Sequence, residues 1–379
     1  MTSTSLFPNF QKYIPAVGNI NDKSLFAYKL TRGATQVVNA VQMGLAEAYI
    51  HGLELPDPVI KGLLDSFLPI LYKYFPSLLV PYEWVIQESE RLTEGSQELM
   101  KLQYDLPEEL FRLMLGESEL LYPKYTMALW EKGAIDLEQA QIHMLDNVIE
   151  KANIQDRDEI LDLGCGWGSA ANYILSKFPN VKITSLNLSH EQCEYIRKKR
   201  RDPKSYLSSE RFTLVEEDFN EINFEKQFDK ILAIGLFEHV GNLTKSFAKI
   251  AELLKENGRV FLHIFSTRLP HNAWSPFINK YIFPKARVWH YDAVPLRDRD
   301  LKTIDKWFIN GANYSQTLQS WLKNFDANQA SIKNLNYGMD YAQFRRIWRL
   351  YLLWCIAYFD SCDGEVLGNG QYLMVKAHS

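Results

Sequence analysis

The stretch Ile160-Leu-Asp-Leu-Gly-Cys-Gly-Trp-Gly168 constrains the fold of this 379-residue chain more than any other. It ends a short apolar strand on an acid and opens, through three glycines, into an amphipathic run at Ser169–Phe178. Gly164, Gly166 and Gly168 allow a sharp turn and a close approach of main chain to ligand. A strand–glycine turn–helix unit of this kind belongs to a parallel α/β sheet. A dinucleotide-binding turn would read G-x-G-x-x-G/A, with an acid about twenty residues further on. Here the third glycine arrives one residue early, Ser169 takes its place, and the second strand ends at Leu186-Asn187, which disfavours a nicotinamide cofactor. No G-K-[ST] follows, which excludes a P-loop. A G-x-G-x-G turn after a strand carrying Asp162 suits S-adenosylmethionine, which has no pyrophosphate to cradle.

The surroundings agree with an α/β sheet. From Ile154, short apolar strands alternate with amphipathic helices. Strands are expected at Glu159–Leu163, Val181–Leu186, Phe212–Glu216, Phe228–Ile234 and Arg259–Phe265, with helices at His190–Arg200 and Leu243–Leu254. Gln371–Val375 reads as a final edge strand. Residues 266–313 are too long and too aromatic for an ordinary connection, and an insertion after a strand's carboxyl end lies over the ligand crevice. A substrate lid is expected there. Residues 1–103 form a helical N-terminal region, with helices expected at Leu25–Tyr49, Pro58–Tyr72 and Glu83–Leu92. A lid or packing role is its default; a homodimer surface or a lipid-facing module stays open. The catalytic domain would span 104–379.

Composition narrows the partners. A net charge of −4 offers no basic face, so nucleic acid is a poor partner. Cys165, Cys193, Cys355 and Cys362 form no C-x-x-C pair and no metal-ligand spacing, which fits reduced thiols in the cytoplasm and no metal site. The N-terminus lacks the pattern of a secretory signal, and the apolar stretch Ile347–Phe359 is too short to span a bilayer.

Five motifs in order carry a family resemblance from about Leu102 to the C-terminus. They are Tyr104-Asp-Leu-Pro107, Leu137-Glu-Gln-Ala-Gln141, the glycine loop, Phe237-Glu-His-Val-Gly241 and Trp307-Phe-Ile-Asn-Gly-Ala-Asn-Tyr-Ser-Gln-Thr317. The chain resembles the cyclopropane-fatty-acid synthase superfamily, and within it the coclaurine-type N-methyltransferases. The resemblance implies a class I, Rossmann-like methyltransferase fold with a mostly parallel sheet and an antiparallel last strand. It implies S-adenosylmethionine as donor, with Asp162, Gly164 and Gly166 at its amino acid portion and Tyr125 and Thr126 closing over it. Asn187 and Gln192 match ribose-binding positions; their amides donate and accept, as a diol requires. Asp218 and Phe219 match the adenine site. Glu238 and His239 match the pair to which the N-methyltransferase branch assigns proton removal, and an amine must be neutral to attack.

The chain departs from both branches. In the lipid branch, residues matching Glu238, His263 and Tyr314 help bind a bicarbonate base, and a cysteine follows a Tyr-Ser pair; here Tyr125-Thr126 is followed by Met127. Phe265 replaces that branch's isoleucine, and Gly235 stands where the amine branch usually has glutamate. Gly235, His263 and Tyr314 are the expected substrate-pocket residues, although a lone buried histidine on a strand is normally a satisfied core residue. The first reading is methyl transfer to the nitrogen of a small hydrophobic or aromatic amine. The second is transfer to the double bond of an unsaturated fatty-acyl lipid, which alone would bring membrane-surface contact. A non-catalytic scaffold keeping the fold is the third.

Overall fold

The computed structural model describes residues 37, 39–64, 88–93, 99–268 and 275–377. The strands are β1 (Glu159–Leu163), β2 (Lys182–Asn187), β3 (Phe212–Glu216), β4 (Phe228–Ile234), β5 (Leu254–Thr267), β6 (Trp289–His290), β7 (Leu301–Asn310) and β8 (Leu367–Lys376). They form one sheet of order β3-β2-β1-β4-β5-β8-β7, with β6 pairing beside β5. Pairings from β3 through β5 are parallel, and β8 is antiparallel to both β5 and β7.

Both faces of the central strands are covered, so the strands are nearly continuously apolar yet still sort their side chains by alternation. Ile160, Leu232 and Phe261 enter one core with the helices Glu108–Leu115, Leu137–Ala152, Ser169–Lys177, Ala312–Ala327 and Tyr341–Asp360. Leu161, Leu163, Ile231, Ala233 and Leu262 enter the other, under the helix Leu243–Leu253 and Trp289. Strand order reverses between β1 and β4, and the crevice at such a reversal is where open α/β sheets bind ligands.

Several expectations change. Gln371–Val375 belongs to β8, which is not an edge: β7 pairs on its far side and forms the edge itself. The segment 266–313 therefore divides, because 301–310 is sheet rather than lid. Residues 269–274, including the aromatic Trp274, lie outside the described residues. Of the expected N-terminal helices, residue 37 and residues 39–50 and 57–64 are helical, and the remainder of those two ranges lies outside the described residues. Residues 88–92 of the third are not helical. They run to Thr93, which forms an antiparallel bridge with Val240, while Ser89 N donates to Gly241 O and Gly241 N to Leu92 O.

Candidate active site

The turn after β1 is built by glycines at left-handed φ. Gly164 (φ +71) lies so close to the β4 turn that a Cβ there would sit 3.1 Å from Leu236. Gly166 (φ +56) has open space where its Cβ would be, so the main chain is bare toward the crevice. The two turns at the switch point thus abut while leaving a cleft in front.

That cleft, of about 1120 Å³, is lined by every residue expected to touch the donor: Tyr125, Thr126, Asp162, Gly164, Gly166, Asn187, Gln192, Asp218 and Phe219. Asp162 is 2% exposed and has one long bond, from Ser185 Oγ at 3.4 Å; burial pushes its pKa up to about 7. Asn187 Nδ2 donates to Gly166 O and to Gln192 Oε1, both at 2.9 Å, coupling the glycine loop to the second strand's end. Asp218 Oδ1 accepts from Asn220 N at 2.8 Å and Asn220 Nδ2 at 2.7 Å, and Phe219 is buried beside it. Thr126 Oγ1, Trp167 Nε1 and Ser169 Oγ are buried without a partner among the described residues, and their residues line the same cleft. Lys124 fixes the strap that carries Tyr125 and Thr126, because its ammonium donates to Thr126 O at 3.3 Å and Met127 O at 2.6 Å. Met127 itself is 1% exposed and lines neither cavity, so its side chain serves the core.

A second cavity, about 580 Å³, adjoins the first. Gly235, Glu238, His239, His263 and Tyr314 all line it. Its walls are aromatic: Tyr104, Tyr125, Phe265, Phe283, Tyr314, Tyr351 and Phe359. Tyr104, Tyr125, Thr126, Gly235 and His239 line both cavities and so ring the junction between them.

Glu238 and His239 sit on a 3-10 turn, Phe237–His239, directly after β4. The insertion holds this turn: Arg287 N donates to Glu238 O at 2.7 Å and Trp289 Nε1 to Phe237 O at 2.9 Å. Glu238 Oε1 accepts from Phe265 N at 2.8 Å, whereas Oε2 is buried with no partner among the described residues. Desolvation raises the Glu238 pKa to about 7 and lowers that of His239 to about 4. His239 Nε2 is 2.9 Å from the Tyr104 hydroxyl, and Phe283 from the insertion lies against the imidazole at 5.7 Å. Around neutral pH the cavity therefore presents a carboxyl group poised at its own pKa, the two neutral imidazoles of His239 and His263, and a ring of π-faces.

His263 is 0% exposed, and both ring nitrogens meet side-chain amides, Asn369 at 3.0 Å and Gln371 at 3.1 Å. Tyr314 packs its ring on Phe359 at 4.5 Å. Sequence reasoning missed Tyr351, Cys355, Phe359, Phe283 and Asn369 as cavity residues. The first three recur every fourth residue in the apolar stretch Ile347–Phe359 and so share one helical face, but the neighbouring faces there are equally apolar and the spacing alone does not single them out.

The mycolic acid cyclopropane synthetase family matches residues 92–367. The cyclopropane-fatty-acyl-phospholipid synthase of Escherichia coli K12 is 28% identical over 337 residues, covering 86% of this chain and 82% of that protein. The (S)-coclaurine N-methyltransferase of Papaver somniferum is 29% identical over 356 residues, covering 88% and 98%. Among solved structures, a coclaurine N-methyltransferase bound to N-methylheliamine and SAH superposes with a TM-score of 0.78 at 23% identity, over 89% of this chain and 100% of that one. The cyclopropane synthase MmaA2 of Mycobacterium tuberculosis gives 0.63 at 22% identity, over 75% and 99%. The chain belongs to the mycolic acid cyclopropane synthetase family and is an S-adenosylmethionine-dependent methyltransferase.

Proposed function

We propose that the chain transfers the donor's methyl group to the nitrogen of a small hydrophobic or aromatic amine. The observation that carries this reading is Glu238 Oε2, a buried carboxylate oxygen that, among the described residues, has no partner and lies on an aromatic-walled cavity with no lysine or arginine on its wall. A buried anion requires a donor or a positive charge, and aromatic faces attract cations. A protonated amine with an apolar body supplies both needs.

The residues of the first cavity fit the donor. Asp162 with its single long bond, and the unpartnered Ser169 and Thr126 hydroxyls, suit an amino acid group beside the bare main chain of Gly166. Asn187 and Gln192 would take the ribose hydroxyls, and Asp218 and Phe219 the adenine. Bound there, S-adenosylmethionine supplies a methyl carbon on a sulfonium, a good leaving group. The chain then has to align the nucleophile through the junction, a positional effect. Glu238 would accept the ammonium proton at Oε2, freeing the nitrogen lone pair. Its pKa of about 7 suits a base at neutral pH. Desolvation in the same cavity lowers an ammonium's pKa, which brings the two groups together. His239, neutral under these conditions, would orient the amine rather than repel it.

Transfer to a lipid double bond through an anionic base draws less support. His263, which would help hold such an anion, already spends both ring nitrogens on Asn369 and Gln371. The test is to incubate the protein with labelled donor and two acceptor pools, secondary amines and cis-unsaturated phospholipid vesicles. Label in a methylated amine, lost in Glu238→Gln, is the expected result. Label in acyl chains overturns it.

A further inference from the structure

A line of four side chains runs behind the acceptor cavity to its wall. Lys151 Nζ donates to Gln371 Oε1 at 2.6 Å, Gln371 Nε2 lies 3.1 Å from His263 Nδ1, and His263 Nε2 lies 3.0 Å from Asn369 Nδ2. Lys151 is half-buried, whereas Gln371, His263 and Asn369 are at most 2% exposed. Strand register builds the line: Gln371 faces His263 across β5 and β8, and Asn369 faces Phe265. Of the two amides, Asn369 lines the cavity.

Both amide nitrogens are thus set against the ring, yet a neutral imidazole accepts at only one nitrogen. One amide must be turned over, and oxygen and nitrogen of an amide are told apart only by their network. Lys151 decides which. Burial lowers its pKa to about 8, so at neutral pH it is an ammonium and can only donate. Gln371 therefore keeps Oε1 toward Lys151 and Nε2 toward His263, which makes Nδ1 the acceptor. Burial holds His263 well below its ordinary pKa, so the ring is neutral and its proton lies on Nε2. That N–H needs an acceptor, and Asn369 must turn Oδ1 toward it. The other end of the Asn369 amide, which has no partner among the described residues, is then its NH2 group.

We propose that Asn369 is a specificity-determining residue that offers an N–H donor to the acceptor cavity and recognises an oxygen acceptor on the body of the amine. This rests on the amine reading above. A site built to hydrogen-bond a substrate group rejects the analogue that lacks it.

The test compares matched secondary arylalkylamines, with and without a ring methoxy group, by kcat/KM, and reads the His263 tautomer by 15N NMR. The wild type should prefer the methoxy amine by about tenfold, the effect of one buried hydrogen bond. Asn369→Asp keeps an oxygen toward His263 but sets an oxygen instead of N–H toward the cavity, so the preference should vanish while donor affinity stays unchanged. The Nε2–H tautomer should be seen in the wild type. An Nδ1–H tautomer, or a methoxy preference that survives in Asn369→Asp, overturns the proposal. If no amine is methylated, the amine reading fails, and the tautomer alone decides whether Asn369 is oriented as argued.

Discussion

The Tyr104 hydroxyl lies 2.9 Å from Nε2 of His239, with the two rings edge to face at 89° and Nδ1 of the same imidazole buried without a partner among the described residues. Tyr104 is therefore the residue that orients His239 at the junction of the two cavities. Burial pushes the Tyr104 pKa well above its ordinary value, so the phenol stays protonated across the working pH range. Tyr104→Phe keeps the ring and removes the bond, leaving both imidazole nitrogens without a protein partner. We expect kcat to fall about tenfold, in keeping with a lost buried hydrogen bond. Donor affinity, measured by calorimetry, should change little, because the aromatic ring still lines the first cavity. An unchanged kcat would remove Tyr104 from the orienting role.

Glu238 and His239 should pull stability in opposite directions with pH. The folded-state pKa of Glu238 is raised from 4.5 to about 7, so its contribution is fully present below about 4.5 and is lost as pH rises through 7. That of His239 is lowered from 6.5 to about 4, so its contribution is present above about 6.5 and is lost as pH falls toward 4. Glu238→Gln should accordingly raise Tm at pH 8 relative to the wild type, with the gain shrinking toward pH 5. His239→Asn should show its gain on the acid side instead. Scanning calorimetry across pH 4 to 8, a window set by those two shifts, checks both. In the same series, kcat/KM of the wild type should rise to a plateau through about 7 as Glu238 ionises, and Glu238→Gln should lose both the limb and most of the rate.

Much of this arrangement is legible from residue order because the donor side is built from sequence-local pieces. The bounds of β1, β3 and β4 coincide with the expected runs, because each is a short stretch dominated by Ile, Leu, Val and Phe, even with Asp162, Thr213, Asp229 and Lys230 inside them. The nine residues proposed for the donor lie at or near strand ends, on the strap or, for Gln192, in the first turn of a helix, where motif and position coincide. The edge strand β7 was hidden for the opposite reason. Lys302, Asp305 and Lys306 interrupt it, and its register shifts between Thr303 and Asp305, so no alternation survives. The acceptor wall is hidden too, because the C-terminal half of the helix Tyr341–Asp360, residues 350–359, is apolar all round. Leu350 and Trp354 on it are as buried as Tyr351, Cys355 and Phe359, yet they do not line the cavity. Whether His263 is a core or a cavity residue depends on Asn369 and Gln371, more than a hundred residues away.

Gly235 and Thr126 share one volume at the junction. Gly235 has φ +74, and a Cβ there would lie 2.8 Å from Thr126 Cγ2. Gly235→Ala should cost about 1 kcal/mol for the left-handed backbone alone and should push the strap off the junction, lowering kcat at least tenfold. Thr126→Ser removes the opposing methyl while keeping the hydroxyl. The double variant should recover part of the kcat that Gly235→Ala loses, but not the backbone term in Tm, so the two readouts separate steric crowding from strain. A double-mutant cycle that is additive in kcat would show that the two side chains do not compete for this space. Glutamate at 235 should be harder to accommodate than alanine for the same reason.

Cys355 offers a way to resize the acceptor cavity without touching the donor's. It is 3% exposed, sits one helical turn from both Tyr351 and Phe359, and lines only the second cavity. Burial raises its pKa far above the ordinary thiol value, so it is no nucleophile at neutral pH and serves as a small wall residue. Cys355→Phe adds a ring to a wall already made of rings, and overpacking of this kind costs about 1–3 kcal/mol. The expected signature is a split by substrate size. Bulky arylalkylamines should lose kcat/KM by a factor of ten or more through KM, a small dialkylamine should lose little, and donor affinity should be unchanged. Equal loss for large and small amines would mean that the added ring disturbs the helix rather than filling the cavity, and Cys355→Leu, with a smaller volume change, should then show the graded effect if Cys355 faces the amine.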